Sequence, residues 1–487
     1  MANDRFRHQL AKEARQWVTD GLLQPDQFDR LADRYQFRDL DQSARNRFVG
    51  ILFALGAVLL GLGAIVFVSA NWQFWSREGK LAILLGSLLG INTLGFYLWR
   101  SPRRRVAGQG LFGQMCLLLG GLLLGANLAL TAQMFHQGGP LSTLYLVWGG
   151  GVVAMAIGLR LVSLGVLGVV LFASAYLTGL YDWQLPDDSW MRSVIEHMPI
   201  LSALAFLPLA HAARSRLLFG MAWVLTLGSL QTNLWWSYMH PWVASVLTLV
   251  IPFGLGWGYR DRLWPDMQRW WLRQPLPPAI RHWLVPGGAI DPRPLGFQTI
   301  AHTLTLLWLM GTFYVMSFWG FWQESARPYD PASFVPWAAI DVAVAAIAVV
   351  LMVAAQVRSS VADPGARSIT DPVLWAMVWS LGLALGWHYN LDTIPLIGTF
   401  LGNVLLFLLG LGLIREGLGR GRRVAFWSGV LVWVLDIFTR MVEYDTNLML
   451  KALVFALAGV GTIVAGFWFE RSIESLAPAD RASTARL

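Results

Sequence analysis

The chain has 487 residues, of which 56% are apolar and 14% charged, whereas soluble domains are roughly 45–50% apolar and about 25% charged. This composition excludes an ordinary soluble enzyme and a disordered chain, and the single cysteine, Cys116, excludes a disulfide scaffold and a thiolate metal site. The formal net charge of +8 indicates basic loops between membrane spans rather than a nucleic-acid surface, because the basic residues are spread along the chain.

Residues 1–47 predict a small cytoplasmic helical hairpin. Apolar residues recur at helical spacing in two stretches, separated by Gly21, which is placed to end the first helix, and Pro25, which opens the second. The apolar faces consist of Phe6, Leu10, Trp17 and Val18 in the first helix and Phe28, Leu31 and Tyr35 in the second. These faces either dock a cytoplasmic partner protein or close on one another.

The chain after the hairpin predicts an all-α polytopic integral membrane protein with about 14 transmembrane helices, since each apolar block of about 20 residues can cross the ~30 Å hydrocarbon core. Proline interrupts the block at 196–213, which makes it the weakest of the predicted spans. The predicted spans are 48–70, 80–99, 111–132, 142–159, 162–180, 196–213, 217–236, 241–259, 300–320, 335–357, 372–388, 394–414, 424–441 and 448–469.

Long polar segments divide the spans into two groups. Residues 260–299 are rich in proline and in tryptophan mixed with arginine, a composition typical of a segment lying in the headgroup layer. The predicted domains are therefore the hairpin (1–47), a membrane domain of about eight spans (48–259), this interfacial loop (260–299), a membrane domain of about six spans (300–470) and a polar cytoplasmic tail (471–487).

The distribution of basic residues predicts the orientation of the spans. With the N-terminus in the cytoplasm, most of the 37 lysines and arginines fall in inner segments, with the densest groups at 103–105 and 420–423. The outer loops carry tryptophans instead, as an aromatic belt does. An even number of spans then places both termini in the cytoplasm.

Three Gly-x-x-x-Gly pairs predict close approach of neighbouring helices, because small residues let backbones come together. The 48 glycines make chance matches common. The pairs are Gly86 with Gly90, Gly121 with Gly125, and Gly398 with Gly402.

Several local motifs resemble a known family. They are the Gly21-Leu22-Leu23 turn of the hairpin, the end of the first span at Ser69-Ala70-Asn71-Trp72, and the stretch from Ala132 to Gly139 after the third span. Together they make the chain similar, most clearly over residues 8–160, to the bacterial domain-of-unknown-function family 2157 of predicted multi-spanning membrane proteins. The resemblance implies a location in the bacterial inner membrane, and it brings no established activity and no catalytic residues.

Polar groups within or beside the apolar spans form the candidate functional site, because a charge at the bilayer centre costs about 2.5–3.5 kcal/mol on insertion scales. Asp436 and Arg440 are four residues apart and can pair on one helix face. The predicted orientation places all the candidates in the outer third of the membrane region or in the outer loops. There they either line a polar vestibule open to the outside or are each solvated separately in their own loops. The candidates for a substrate or proton pathway are Gln133, His136, Asp341, His388, Asp436 and Arg440.

These features favour a transporter- or flippase-like protein that acts on a small-molecule or lipid-linked substrate. The alternative is a structural or adaptor membrane protein whose hairpin, residues 1–47, docks a cytoplasmic partner. An enzyme is not predicted, because the zinc-protease, Walker and nucleophile-elbow patterns are not found. Beyond the lipid bilayer and these partners, the sequence predicts no cofactor, metal site or nucleic-acid partner.

Overall fold

The structure is a computed structural model, and it describes residues 4–35, 76–100, 109–180, 190–236, 241–275, 295–323, 336–362, 370–444 and 447–484, together with the single residues 52, 55, 56, 59, 63, 66, 277 and 281. Within these residues there are seventeen α-helices and one 3-10 helix, and no strand. The predicted all-α membrane fold is therefore confirmed.

The chain forms two compact units, Met1–Arg192 and Ser193–Leu487. The first contains α1 Asp4–Thr19, α2 Pro25–Tyr35, α3 Arg77–Arg100, α4 Gln109–Met134, α5 Leu141–Leu159 and α6 Val162–Gly179. Helix α7, Trp190–Glu196, crosses the boundary. The second unit continues with α8 Met198–Ala212, α9 Arg216–Trp236, α10 Pro241–Gly258, α11 Leu263–Leu272, α12 Phe297–Met316, the 3-10 helix Trp319–Gln323, α13 Pro336–Ala362, α14 Thr370–Asn390, α15 Pro395–Arg420, α16 Arg423–Glu443 and α17 Leu448–Thr484. The predicted domain bounds at 47, 259, 299 and 470 stay predictions.

Among the described residues, 10 helices are long and apolar enough to cross a membrane, or up to 12 if two bent helix pairs each count as one span. The count of about 14 is therefore not confirmed. The predicted spans 196–213 and 241–259 fall on the two bent pairs, and only single residues of the span 48–70 are described. The span 372–388 corresponds to α14, which is not among the candidate spans.

Helix α14 shows how a less apolar helix can lie inside a membrane protein. Tryptophan, serine and glycine lower its mean hydropathy, yet its Leu374, Val378, Leu381 and Leu385 are buried. They pack in a core of the second unit against side chains of α10, α12 and α15. The other side of α14 exposes Val373, Trp379, Leu383 and Trp387, so the helix buries one apolar face and presents another to its surroundings.

The N-terminal hairpin closes on its own apolar faces. Ala14 is fully buried between the two helices, where Leu10 and Trp17 of α1 meet the apolar side of α2. The first helix ends at Gly21 with φ of 73°, and the amide of Leu22 donates to the carbonyl of Trp17 at 2.8 Å, as in a Schellman cap. The Phe6 side chain lies outside the described side chains.

The three Gly-x-x-x-Gly pairs differ in the atoms that the structure places against them. The ring of Trp148 lies against Gly125 and its Nε1 donates to the Gly121 carbonyl at 2.7 Å, so that pair is a close helix contact. The pair Gly398 and Gly402 likewise lies against the chain from α12 to the 3-10 helix. Gly86 and Gly90 have no described atom within 4 Å of an added Cβ, so for this pair the prediction stays a prediction.

Candidate functional site

The membrane helix pair α7–α8 bends sharply at His197. The two helices meet at 73°, and His197, with φ of −92° and ψ of 23°, is the residue before α8. Pro199 lies in the first turn of α8, where its missing N–H is not needed by the helix. The sequence thus builds a helix break and places an imidazole in it.

A buried carboxylate faces this break. Asp341 of α13 is 1% exposed, and its Oδ1 lies 2.9 Å from Nδ1 of His197, whose side chain is 28% exposed. A buried charge is costly unless it is paired and hydrogen-bonded. The pair therefore joins a fully enclosed acid to a base that reaches the molecular surface.

Asn233 of α9 completes the cluster, which we call the Asp341 cluster (Asp341, His197 and Asn233). The Asn233 amide is 2% exposed and donates to Oδ2 of Asp341 at 3.3 Å and to the backbone carbonyl of Glu196 at 2.6 Å. The second bond satisfies a carbonyl at the end of α7, as a broken helix within a membrane requires.

Polar side chains continue from the Asp341 cluster along the contact between α8 and α9. Thr226, two helical turns before Asn233, shares a hydrogen bond of 2.9 Å with Ser202 of α8, and both are buried. Ser229 lies between Thr226 and Asn233 in α9 and is 2% exposed. Nearby in α9, the buried Nε1 of Trp223 and Oε1 of Gln231 have no hydrogen-bond partner among the described atoms. We call this set the α8–α9 polar strip.

The second group of ionisable residues lies around Arg440 of α16, which is 8% exposed. Its guanidinium donates to the carbonyl of Ser317 at 2.7 Å and to the Ser317 hydroxyl at 3.2 Å, and it forms an ion pair with Glu443. Asp436 lies 3.6 Å from Nε of Arg440, so the predicted i,i+4 pair is present. The guanidinium also lies 4.2 Å from the ring centroid of Phe318.

The Arg440 cluster (Arg440, Glu443, Asp436 and Ser317) holds the turn Ser317–Gln323. The amide of Trp319 donates to Glu443 at 2.8 Å, and Asn403 of α15 donates to the Ser317 carbonyl at 3.0 Å. The ring of Trp322 is fully buried and lies 5.2 Å edge-on from His388 of α14. His388 itself is 2% exposed and accepts a hydrogen bond from the amide of Ile394 at 3.3 Å.

The other two predicted site residues, Gln133 and His136, belong to the first unit and are exposed. His136 has a left-handed backbone, with φ of 52°, and the amide of Gln137 after it donates to the carbonyl of Ala132 at 2.9 Å. His136 therefore ends α4 through its backbone conformation. Of the six predicted residues, the structure joins Asp436 with Arg440 and brings His388 to the turn that Arg440 holds. The convergence of all six in one vestibule stays a prediction.

The contacts of the second unit agree with the alternation of helix ends expected from the basic residues. The Asp341 cluster joins the start of α8, the end of α9 and the early part of α13, and the Arg440 cluster joins the end of α12 with the end of α16. At the opposite end of α8, His211 contacts Tyr259, which follows α10. Each cluster thus brings together helix ends that the predicted orientation places on the same side of the membrane. Which of the two sides faces the cytoplasm stays a prediction.

Sequence reasoning missed three important partners, His197, Asn233 and Ser317, as members of these clusters. His197 and Asn233 lie 144 and 108 residues from Asp341, and Ser317 lies 123 residues from Arg440. The available signal was the polar pair Glu196–His197 directly before Pro199 in an otherwise apolar block, since broken membrane helices surround binding sites in transporters. Among the described residues no group of three or more His, Cys, Asp or Glu could hold a metal ion.

Comparison with known proteins supports the family resemblance. Residues 15–165 match the family described as "Predicted membrane protein (DUF2157)". This stretch covers most of the segment in which the sequence motifs lie, so the resemblance is confirmed there. No curated protein and no solved structure matches the chain.

Proposed function

We propose that the protein is a transporter- or flippase-like protein of the bacterial inner membrane, in which the Asp341 cluster binds the transported substrate or the ion coupled to it. The observation that carries this proposal is the fully buried Asp341 carboxylate at the break between α7 and α8. Ionisable groups inside membrane bundles mark substrate and ion pathways, and discontinuous helices form such sites in transporters.

The partner of Asp341 supports the same function. His197 is partly exposed while the carboxylate that it contacts is not, and imidazole rings act as proton shuttles in proteins. On this proposal, a proton or a cationic group reaches Asp341 by way of His197.

The α8–α9 polar strip provides a route away from the cluster. From Asn233 to Thr226 it extends about 10 Å along α9, at 1.5 Å per residue. Nε1 of Trp223, one turn from Thr226 on a neighbouring face of α9, has no partner among the described atoms and suits a path whose hydrogen-bond partners are water or substrate. On this proposal the protein works without catalysis, and its partners are the lipid bilayer and a small-molecule or lipid-linked substrate.

The adaptor alternative receives less support. The apolar side chains of the hairpin, which a docked partner would cover, already pack on one another around Ala14. An adaptor function through residues 1–47 would use the exposed polar faces of α1 and α2 instead.

Transport can be tested before the substrate is identified. Wild-type protein and the Asp341→Asn variant are each reconstituted in vesicles, and a pH gradient of either direction is imposed across the membrane. The vesicles are incubated with a soluble metabolite extract, and mass spectrometry then identifies the solutes that they retain. A second set of vesicles contains fluorescent phospholipid and is scored by its protection from dithionite. We expect wild-type vesicles to accumulate at least one solute, or to flip lipid, several-fold faster than the variant.

The matched control is Asp392→Asn, which removes an exposed carboxylate from the loop after α14. This variant should behave as wild type. Equal solute retention and equal lipid flipping by wild type, Asp341→Asn and protein-free vesicles would contradict the proposal.

A further inference from the structure

Helix α11 is amphipathic and lies directly after a sharp bend of the chain. It follows α10 after a bend of 81°, so if α10 crosses the membrane, α11 lies nearly in the membrane plane. One side of the helix carries Met267, Trp270 and Trp271, which are 42%, 58% and 36% exposed. Large apolar side chains in such a row are costly in water and favourable at a lipid interface.

The depth of α11 is fixed by its contacts with the ends of other helices. Trp264 stacks on His211, at 4.5 Å between ring centroids, one residue before the end of α8. Asp261, just before α11, accepts hydrogen bonds from the amides of Gly296 and Gln298 at 2.9 and 2.8 Å, and so caps α12. The start of α11 therefore lies at the level where α8 and α10 end and α12 begins.

The buried surroundings of this joint are aromatic. His211 contacts the hydroxyl of Tyr259 at 2.9 Å, and Phe219 stacks on Phe297 at 4.5 Å. Burial and the Asp261 carboxylate raise the pKa of Tyr259, so the hydroxyl stays neutral. This packing fixes the start of α11 to the bundle through Trp264, whereas Met267, Trp270 and Trp271 in the later turns are exposed.

A third side of α11 is basic. Arg262 and Arg273 flank the helix at its two ends and are exposed, and Arg269 forms an exposed ion pair with Asp266 at 2.6 Å. Helical spacing places these residues on a different side from Met267 and Trp270. The helix thus offers aromatic groups and net positive charge at one membrane level, which is the composition of an interfacial helix on an anionic bilayer.

We propose that α11 is an in-plane anchor that binds the anionic phospholipid headgroups of the leaflet on its side, with Met267, Trp270 and Trp271 inserted among the upper acyl chains. The charge complementarity and the level set by α8, α10 and α12 select lipid as the occupant. The proposal concerns the inner end of the bundle and is independent of any transported substrate.

The depth of α11 can be measured with a single label. Cys116→Ala removes the only cysteine of the chain, and Met267→Cys then carries an environment-sensitive fluorophore in reconstituted vesicles. We expect a blue-shifted emission that is quenched more by lipids with a nitroxide near the headgroup than by lipids with a nitroxide near the bilayer centre. The matched control, Arg269→Cys, should remain open to quenching by aqueous iodide.

Two results would overturn the in-plane position. Equal iodide access at the two labels would place α11 in water, and stronger quenching by the central nitroxide would make it a re-entrant helix.

The preference for anionic lipid is tested with the same label. In mixed bilayers of constant composition, the nitroxide is carried either by phosphatidylglycerol or by phosphatidylcholine. The quenching should be stronger with labelled phosphatidylglycerol. The double variant Arg262→Gln, Arg273→Gln should reduce this preference several-fold, because each arginine is attracted to an anionic lipid surface. Asp266→Asn should not reduce it. An equal effect of both lipids in the wild type would refute the anionic specificity.

Discussion

The Asp341 and Arg440 clusters bury opposite charges in the same helical unit, and they do so in different ways. Arg440 is held by a backbone carbonyl, a hydroxyl and two carboxylates, and these contacts close the turn Ser317–Gln323. Asp341 is held by one partly exposed imidazole and one amide, at a helix break. A charge fixed by backbone groups serves the fold, whereas on our proposal the buried charge that faces a partly exposed partner serves transport.

The largest expected effect is on stability, from Arg440→Gln. Removal of the guanidinium leaves the Ser317 carbonyl and the carboxylates of Asp436 and Glu443 without their cation, and breaking a buried pair costs about 3–5 kcal/mol. The unfolding midpoint in mixed micelles should fall strongly. Arg440→Lys should be intermediate, because an ammonium cannot reproduce the forked contacts. Arg415→Gln, at an exposed position of α15, should change the stability by less than about 0.5 kcal/mol; an equal loss there would show that the effect is not specific to the cluster.

The next effect tests how tightly the turn beside the Arg440 cluster is packed. A Cβ at Gly402 would overlap the carbonyl of Met316, directly before Ser317. Gly402→Ala should therefore destabilise the protein by about 1–3 kcal/mol in the same unfolding assay. An added Cβ at Gly86 meets no described atom within 4 Å, so Gly86→Ala should be neutral or stabilising by about 0.5–1 kcal/mol, since alanine favours the helix. Similar results for both variants would mean that the two glycine pairs pack alike.

The smallest effect on stability is expected in the Asp341 cluster. His197→Ala removes one of the two donors to Asp341 but leaves Asn233, so we expect a loss of about 1–2 kcal/mol. Asp341→Asn can keep both contacts, because its amide can donate to a neutral His197 ring while its oxygen accepts from Asn233; its cost should be below about 1 kcal/mol. In the double variant the cost of His197→Ala should shrink, because the contact that it then removes is to a neutral amide and not to a carboxylate, which forms the stronger hydrogen bond. Additive losses would show that the 2.9 Å contact contributes no coupling.

The sequence predicts local features well in this chain. Ten of the predicted spans fall on helices that meet the length and hydropathy requirement, because an apolar block of about 20 residues is a local property. The pair Asp436–Arg440 also follows from spacing alone. Helix α14 falls short of the hydropathy requirement because tryptophan, serine and glycine lower its mean hydropathy, yet one face of it packs against α10, α12 and α15.

The partners of the buried charges could not be predicted in the same way. His197 and Asp341 are 144 residues apart, so only the packing of α8 and α9 with α13 brings them together. The same holds for glycine pairs: Gly86 and Gly398 occur in similar motifs, but among the described residues an aromatic ring lies against Gly398 and none against Gly86. The sequence therefore indicates which side chains need a partner, and the tertiary fold decides which partner each one receives.

The joint between α5 and α6 has a mechanical consequence. Only Arg160 and Leu161 separate these helices, and Arg160 has a left-handed backbone with φ of 54°. Since a residue spans at most about 3.6 Å, the link offers no slack for one helix to slide along the other. We therefore expect α5 and α6 to move together in any rearrangement of the first unit.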